Sequence, residues 1–338
     1  MSSRDIRTIK IGHGSGGRLT HDLIHEVIGK HLSNKILDEY LDSAIIDIEG
    51  RIVFTTDSYV VKPLFFRGGD IGKLAVTGTI NDLAVVGAKP LYLSLSLIIE
   101  EGLGMDDLER IIISIKETAI ENDVKVVTGD TKVVERGSGG GLFINTAGIG
   151  IINGDFELRM DTIKPGDKIL INGGIGEHGT AIICSRGLIE FEAEVVSDCA
   201  AIYKLVQELI DEGIRVKFMR DPTRGGLATT LVELGERIPY SILINESDII
   251  IKEAVRSICE FVGYDPLYLA NEGKLVVVVD EVDAKRALDI MRRNKLGEES
   301  CVIGEIIESE KAKVLMNTIL GTKRIIDMMI EDQLPRIC

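Results

Sequence analysis

The chain has 338 residues, a formal net charge of −15 and a hydrophobic content of 45%, which together allow two domains with sizeable cores. So acidic a chain lacks the basic footprint of a nucleic-acid-binding protein, and it would repel a polyanion such as ATP unless metal ions intervened. Aromatic residues make up 4% and Trp is absent, so aliphatic side chains must fill the cores.

Residues 1–43 are predicted to form an N-terminal segment with a glycine loop at 12–17 and an amphipathic helix over 19–32. The start of the chain lacks the apolar stretch of a signal peptide, and no run approaches the length of a membrane span. The five cysteines include no C-x-x-C pair, which argues against a zinc ribbon or a thioredoxin-type motif. A reduced, cytoplasmic protein is therefore expected.

A first domain is predicted over residues 44–153. Apolar residues recur at helical spacing within its second helix, and short apolar runs indicate its strands. In chain order, its predicted elements are strands 44–48 and 51–56, helix 70–86, strand 91–99, helix 106–121, and strands 124–128 and 142–151.

A second domain is predicted over residues 154–325, followed by a polar tail over 326–338. Neither half of the chain alternates strand and helix strictly, so the pattern favours an α+β (mixed α/β) fold with two domains, the second of α/β sandwich type. The predicted elements of the second domain are strand 168–172, helices 179–186 and 198–212, strand 215–219, helix 225–237, strand 240–244, helix 253–262, strand 274–279, helix 282–293, and strands 301–307 and 312–315.

Three motifs suggest other functions but fail on their context. Residues 174–179 match G-x-G-x-x-G, yet a second helix is predicted where a dinucleotide-binding unit needs a strand. Residues 68–74 resemble a P-loop that is one residue short and lacks Ser or Thr. His21 and His25 are four apart on a predicted helix, but no third zinc ligand is evident. We interpret these as a tight turn, a loop and solvated helix residues.

The chain ends on a cysteine. Cys338 follows Pro335-Arg336-Ile337 and a polar stretch, and Pro335 disfavours helix at the residue before it. A terminal segment of this kind can form a movable arm that carries a thiol into a pocket. The alternative is a frayed tail that happens to end on Cys.

Carboxylates at the ends of apolar elements are the most informative residues. They occur in TTDS, NDLA, TGDTK and DPTRGG, as Asp57, Asp82, Asp130 and Asp221. Each one alone could cap a turn or a helix. Together, in an acidic chain without a P-loop, they predict that carboxylates hold Mg²⁺ and that the metal holds phosphates. The glycine loops at 12–17 and 225–226 would let backbone N–H groups approach a nucleotide.

At these motifs the chain resembles the HypE family of hydrogenase maturation proteins. The pieces HGSGG, TTDS with KPLFF, NDLAVVGAKP, VTGDTKVVE, DPTRGGL, NEGKL and the terminal PRIC occur in the order of that family, over nearly the whole chain. The wider superfamily includes aminoimidazole ribonucleotide synthetase, selenophosphate synthetase and thiamine-phosphate kinase. The resemblance implies the two-domain PurM-like fold, with a homodimer formed through strands of the first domains.

The resemblance also implies a reaction. HypE-like proteins receive a carbamoyl group on the terminal cysteine from the carbamoyltransferase HypF. They then use ATP, with Mg²⁺, to dehydrate the S-carboxamide to an S-cyanide. The cyano group passes to iron on a HypC–HypD complex and becomes a ligand of the nickel-iron hydrogenase site.

The resemblance implies that aspartates at the matching motif positions of this sequence bind the metal and the phosphates. Asp57, Asp82 and Asp221 are the expected ligands of metal and phosphate, and Asp130 is a weaker choice. Asn81 is expected to orient a phosphate or a bound water. These assignments are made only at positions that match the motifs.

The expected nucleotide lid is the first glycine loop, with His13, Gly14, Gly16 and Gly17. Lys132 would neutralise charge near the carbamoyl oxygen, and both Lys132 and His13 are further candidates for proton transfer. Glu272 is expected to accept a proton from nitrogen, unless it is only a turn residue before a strand.

The remaining expected contacts are Arg224 and Gly225 of DPTRGGL, and Cys338 itself. Arg224 either contacts phosphate or forms a salt bridge to Asp221, and Gly225 lets the backbone approach the nucleotide. Cys338 would act as the carrier thiolate, which is the reactive form.

Two alternatives stay open from the sequence. The first is another ATP-dependent enzyme of the superfamily that activates an amide, or one like selenophosphate synthetase, although those usually carry Cys or selenocysteine in the N-terminal glycine loop and this loop has none. The second is a non-catalytic thiol carrier or scaffold whose nucleotide site is vestigial.

Overall fold

The computed structural model describes residues 8–39, 43–137, 140–187, 195–309 and 311–329. Within the described part, the first domain is preceded by a helical segment that passes through a π-helical stretch. The segment consists of α1 (Arg18–Leu23), the π-helix Ile24–Gly29 and α2 (Lys30–Leu32). The elements that follow are β1 (Arg51–Tyr59), β2 (Phe65–Phe66), β3 (Gly69–Asp70), α3 (Ile71–Ala84), β4 (Lys89–Glu100), α4 (Met105–Glu121), β5 (Lys125–Val134) and β6 (Leu142–Ile152).

Four of these strands form one sheet in the order β1-β6-β4-β5. The β1–β6 and β4–β6 pairs are antiparallel, and β4–β5 is parallel. Helices α3 and α4 pack with the apolar residues of one face into a single core. On the other face Ile52, Phe54 and Ile98 are 58%, 67% and 42% exposed, so the described chain leaves an apolar sheet face uncovered.

Helix α3 is the central element of the first domain. The Asp70 side chain accepts hydrogen bonds from the N–H groups of Gly72 and Lys73, at 2.7 and 3.1 Å, and so caps the helix start. Twelve of its 14 residues are buried. At Gly78, a Cβ atom would lie 2.4 Å from the Tyr59 hydroxyl, so only glycine lets α3 approach β1 this closely. A polar residue on so buried a helix must find a partner.

The second domain is a seven-stranded sheet with helices on both faces. Its strand order is β13-β12-β9-β11-β7-β10-β8, and of these pairs only β9–β12 is parallel. The elements are β7 (Lys168–Ile171), α5 (Glu177–Ser185), α6 (Tyr203–Asp211), β8 (Val216–Arg220), α7 (Gly226–Gly235), β9 (Ser241–Asn245), α8 (Glu253–Val262), β10 (Val276–Val279), α9 (Ala284–Arg293), β11 (Cys301–Ile307), β12 (Val314–Asn317) and β13 (Lys323–Ile326).

Strand β10 shows how this sheet separates two cores. Val276 and Val278 pack into the core that contains α7, whereas Val277 and Val279 pack into the core that contains α6 and α9. Successive side chains of a strand point to opposite faces, and here both faces are covered by helices. The continuous apolar run of β10 therefore reflects burial on both sides.

The two-domain mixed α/β fold is confirmed, and several elements differ locally from the predicted ones: the short strands β2 and β3 were not predicted, and β5 is longer than predicted. Residues 44–48 form no strand, and Ile45 is 73% exposed; their apolar run has no partner strand in the described chain. The helix predicted from 198 begins only at Tyr203, because the residues before it bond to other segments. Strand β13 was not predicted, since its exposed Lys-Arg pair hides the strand pattern. No helix in the described ranges is long and apolar enough to cross a membrane.

Candidate active site between the two domains

A cleft of about 610 Å³ opens where the first domain meets the second. Strand β1 and helix α3 supply one wall, and the segments before α7 and β10 supply the other. Five of the predicted site residues line this cleft: Asp57, Asp82, Asp221, Arg224 and Glu272. The structure thus brings together carboxylates that are up to 215 positions apart in the sequence.

Asp57 and Asp82 form the first-domain side of the cleft. Asp57 alternates along β1 with the exposed Thr56 and Ser58 and is half-buried. Asp82 is one of two residues of α3 that are not fully buried, and its Oδ2 accepts a hydrogen bond from the Thr55 hydroxyl at 2.9 Å. Burial raises the pKa of Asp82; the Thr55 hydrogen bond opposes this, and the Asp57 charge adds to it.

Asp221 follows β8 and forms part of the opposite wall. It is 8% exposed. Burial raises the pKa of Asp221 to about 7, and the Asp82 charge contributes to that shift. Arg224 is exposed at the rim of the cleft and, among the described residues, forms no ion pair with Asp221. This placement leaves the Arg224 guanidinium available to a phosphate.

Glu272 lies at the base of the cleft and is 7% exposed. Burial raises the pKa of Glu272 well above its ordinary value, and the charges of Asp221 and Asp198 raise it further. A carboxyl group in this setting holds its proton more tightly than one in water, and a bound cation would favour its release. The turn-residue alternative for Glu272 explains neither its burial nor its carboxylate neighbours.

The chemistry of this donor set suits Mg²⁺ together with phosphate. Charges of neighbouring carboxylates add to the raised pKa values of Asp82, Asp221 and Glu272, while the Arg220 charge opposes the shift at Asp82 and Asp221; a cation in the cleft would relieve the repulsion between these carboxylates. Within the described ranges, no three His, Cys, Asp or Glu side chains are grouped closely enough to hold a metal ion by themselves. Mg²⁺ is usually held by one or two carboxylates plus substrate phosphates, and the cleft fits that mode better than a cage made only of protein.

The glycine loop lies in a different cleft, of about 600 Å³, beside β5. Gly14, Gly16, Asp130 and Lys132 line it. Gly14 lies against the edge of β5, where a Cβ atom would be 2.4 Å from the backbone nitrogen of Val133. Lys132 Nζ is 3.1 Å from Asp130 Oδ1, and both side chains are exposed.

The strand register shows that Asp130 and Lys132, beside the glycine loop, lie apart from the aspartates of the interdomain cleft. Asp130 is in register with Ser96, Ser96 with Asn145, and Asn145 with Ser58. Residues paired directly across a sheet share a face, so Asp130 lies on the face of Ser58 and not on that of Asp57. Three strand spacings, about 14 Å, also lie between β5 and β1. Within one chain, Asp130 and Lys132 therefore lie apart from the aspartates of the interdomain cleft, and their predicted roles in nucleotide binding and catalysis stay predictions.

Two further expectations need correction. The amide of Asn81 is fully buried, and both its donor and acceptor groups are already bonded to the second domain, so it does not orient a phosphate as predicted. His13 is 9% exposed, and its Nδ1 accepts the Lys10 backbone N–H at 2.9 Å. The His13 imidazole is thus bonded within the turn formed by residues 10–13. Gly17 is the N-cap residue of α1.

Cys338 lies outside the described residues. The four described cysteines are unsuited to a carrier role. Burial raises the pKa of Cys199 to about 12 and those of Cys259 and Cys301 to about 11, and burial also raises the pKa of Cys184. Since the thiolate is the reactive form, the raised pKa values make these four thiols poor nucleophiles.

Sequence reasoning missed several residues that shape the cleft. Tyr59, Lys62 and Arg186 line it, and Asp198 lies behind Glu272, where it accepts the backbone N–H of Glu272. Lys62 could have been predicted from the sequence, because it is the first residue of the KPLFF motif. The sequence around Arg186 and Asp198 offers no comparable signal, since their roles arise from tertiary contacts alone.

Comparisons with known proteins agree with this architecture. The model of the AIR synthase related protein N-terminal domain matches residues 40–152, and that of the C-terminal domain matches residues 164–317. The carbamoyl dehydratase HypE of Azotobacter vinelandii is 45% identical over 341 aligned residues, which cover all of both chains.

Solved structures give the same picture. The crystal structure of the hydrogenase maturation protein HypE in complex with ATP matches with a TM-score of 0.93 and 45% identity, over 97% of this chain and 99% of that chain. A HypE–HypF complex contains a chain that matches with a TM-score of 0.79 and 46% identity, over 91% of this chain and 99% of that chain.

Proposed function

Because this chain belongs to the AIR synthase related family, and within it to the HypE carbamoyl dehydratases, we propose that it uses ATP to dehydrate an S-carbamoyl group on Cys338 to an S-cyanide. The product would supply the cyanide ligand of the iron in [NiFe] hydrogenases. The observation that carries this proposal is the interdomain cleft, in which carboxylates and Arg224 surround a space of about 610 Å³. The full-length likeness to a HypE that binds ATP supports it.

The reaction requires activation of an amide oxygen. Oxide is a poor leaving group, so the γ-phosphoryl group of ATP is transferred to the carbamoyl oxygen, and the nitrogen loses one proton as C=N forms. Loss of phosphate with the second nitrogen proton then closes C≡N. The balance is one S-carboxamide and ATP giving one S-cyanide, ADP, phosphate and a proton. Positioning and charge stabilisation account for most catalysis of phosphoryl transfer.

The residues of the cleft have distinct proposed roles. Asp57, Asp82 and Asp221 would bind Mg²⁺ together with the phosphates of ATP, and the cation would offset phosphate charge. Arg224 would contact phosphate from the rim. Glu272 would accept a proton from nitrogen; its raised pKa makes its carboxylate a strong base once a cation has displaced its proton.

The tail of the same chain is long enough to reach this cleft. The Tyr268 hydroxyl donates a hydrogen bond to the Asp327 carbonyl at 2.9 Å. Tyr268 is four residues from Glu272, a distance of at most about 14 Å along the chain. The 11 residues that follow Asp327 can extend about 36–40 Å. Delivery of Cys338 within one chain is therefore geometrically allowed.

The proposed partners follow the same family. We propose HypF as the donor of the carbamoyl group, since a HypE–HypF complex is known for a close relative, and a HypC–HypD complex as the acceptor of cyanide. A homodimer would cover the exposed apolar face of the first-domain sheet, and a second copy would then contact Lys132. Cytoplasmic location is part of this proposal.

Intact-mass spectrometry tests the proposed function. The protein is incubated with HypF, carbamoyl phosphate and ATP while Mg²⁺ is kept limiting, Mg-ATP is then added in excess, and the mass of the chain is followed through both stages. We expect wild type to gain a carbamoyl group and then to lose the mass of one water when Mg-ATP is supplied. Cys338→Ala should bind ATP as tightly as wild type and gain no adduct; Cys301→Ala serves as the control and should behave like wild type. A lasting adduct on the Cys338 variant would refute the assignment.

A further inference from the structure

Both backbone groups of Glu272 are held by side chains from other segments. Its N–H donates to Asp198 Oδ1 at 3.1 Å. Its carbonyl accepts from Asn81 Nδ2 at 3.3 Å and from the Ala200 N–H at 3.2 Å. The N–H and the carbonyl belong to the peptide units on either side of the Glu272 Cα, so hydrogen bonds to both leave the backbone little freedom to rotate there, and the direction of the Glu272 side chain is set by its surroundings.

Asn81 makes this connection across the domain boundary. It is fully buried in α3 of the first domain. Its Nδ2 also donates to the Ala200 carbonyl at 3.1 Å, and its Oδ1 accepts the Ile202 N–H at 2.9 Å. Every type of hydrogen-bonding group on the amide is thus used. Because Asp82 is the next residue of the same helix, Asn81 fixes Glu272 relative to Asp82.

Asp198 makes the connection within the second domain. Its side chain is buried, and its Oδ2 lies 3.6 Å from Lys274 Nζ while forming no hydrogen bond. Lys274 is itself held by Glu177 at 2.9 Å. At Gly273 a Cβ atom would lie 1.9 Å from the Asp198 carbonyl oxygen, so the segment around Glu272 is pressed against Asp198. Burial of a carboxylate is energetically unfavourable. Here the buried Asp198 carboxylate holds the backbone N–H of Glu272.

We propose that Asn81 and Asp198 are positioning residues for Glu272, with Asn81 coupling the two walls of the cleft. Neither side chain is among those that line the cleft, so neither touches the substrate. This inference rests on the proposed function, in which Glu272 acts on the carbamoyl nitrogen. Displacement of a reacting group by about 1 Å can cost about 100-fold in rate, so loss of these contacts should lower turnover while ATP binding is unaffected.

The test is single-turnover conversion of the carbamoylated protein at saturating Mg-ATP, with ATP affinity measured separately. We expect Asn81→Ala and Asp198→Ala each to lower the rate constant about 10–100-fold, with the dissociation constant of ATP changed less than about threefold. Asp198→Asn keeps an oxygen that can accept the Glu272 N–H, so it should retain a rate constant within about threefold of wild type.

Asp167 provides the matched control. It is also a fully buried carboxylate of the second domain, paired with Lys217 at 2.8 Å and accepting the Lys164 N–H at 2.8 Å, but it is remote from Glu272. Asp167→Asn, compared with Asp198→Asn, shows what loss of a buried charge does to stability alone, and it should leave the rate constant unchanged.

The outcomes separate the two proposals. If the carbamoylated wild-type protein does not lose the mass of one water when ATP is supplied, the proposed function itself is wrong. An active wild type whose Asp198→Ala and Asn81→Ala variants keep wild-type rate constants overturns only the positioning roles. If the alanine variants do not fold, Asp198→Asn becomes the deciding variant. The inference is overturned if Asp198→Asn weakens ATP binding by as large a factor as it lowers the rate constant.

Discussion

At the scale of single residues, burial raises the pKa values of three carboxyl groups of the cleft, those of Asp82, Asp221 and Glu272. Asp221 illustrates the consequence for stability, because burial raises its pKa to about 7 from an ordinary value of 3.8. Between these values the unfolded chain has lost the proton and the folded chain keeps it. Stability from this group is therefore present at acidic pH and is lost as pH rises toward and through 7.

We expect Asp221→Asn to raise the melting temperature at pH 8 and to raise it by a smaller amount at pH 5, because asparagine resembles the protonated form that the fold prefers, and the free energy of keeping that proton grows as the pH rises from 3.8 towards 7. Thermal unfolding followed by calorimetry at the two pH values, without metal or nucleotide, measures this. Asp130→Asn is the control, since its carboxylate is exposed. A gain at pH 5 as large as that at pH 8 would contradict the assignment of the raised pKa.

Single residues also show what the sequence could and could not reveal. Four aspartates stand out because a carboxylate beside apolar residues is unusual, and the family resemblance selects Asp57, Asp82 and Asp221 among them. Asn81 was assigned a contact with phosphate, since nothing in NDLA says which of two adjacent polar residues of a buried helix faces the cleft. That choice depends on the rotation of α3 against β1, where Gly78 meets Tyr59.

At the scale of elements, helices and strands with strong patterns were predictable and their pairing was not. Helix α3 follows from its Asp70 cap and apolar run, and β10 from its run of valines. The separation of Asp130 and Lys132 from Asp57 depends on the register of β5, β4, β6 and β1. A shift of one residue moves a side chain to the other face, and no local pattern in TGDTK fixes that register.

The glycine loop gives a prediction at this scale. Gly14 lies where a Cβ atom would be 2.4 Å from the Val133 backbone nitrogen, whereas at Gly17 the nearest atom would be at 4.0 Å. Gly14→Ala should therefore push the loop away from β5 and, if the loop covers the triphosphate, weaken ATP binding about tenfold, or about 1.4 kcal/mol. Gly17→Ala should bind ATP like wild type. Nucleotide titration of both variants measures the difference, and equal affinities would show that the loop is not a lid.

At the scale of the whole molecule, the uncovered sheet face of the first domain is the feature that most needs a partner. Ile52, Phe54 and Ile98 are exposed on it, and large exposed apolar patches commonly mark interaction sites. With a net charge of −15, two copies repel each other at long range. The apolar contact between two copies must outweigh this repulsion, so a dimer should become tighter as salt screens the charges.

We expect Phe54→Glu to convert the proposed homodimer into monomers. Burying one Phe contributes about 1.5–3 kcal/mol, and a twofold interface would lose this twice, which weakens dimerisation by at least about 100-fold. Sedimentation equilibrium at micromolar concentrations measures the mass. Phe261→Glu is the matched control, because Phe261 is also 67% exposed but belongs to α8 of the second domain. Dimers of unchanged stability in the Phe54 variant, or equal weakening by both variants, would place the interface elsewhere.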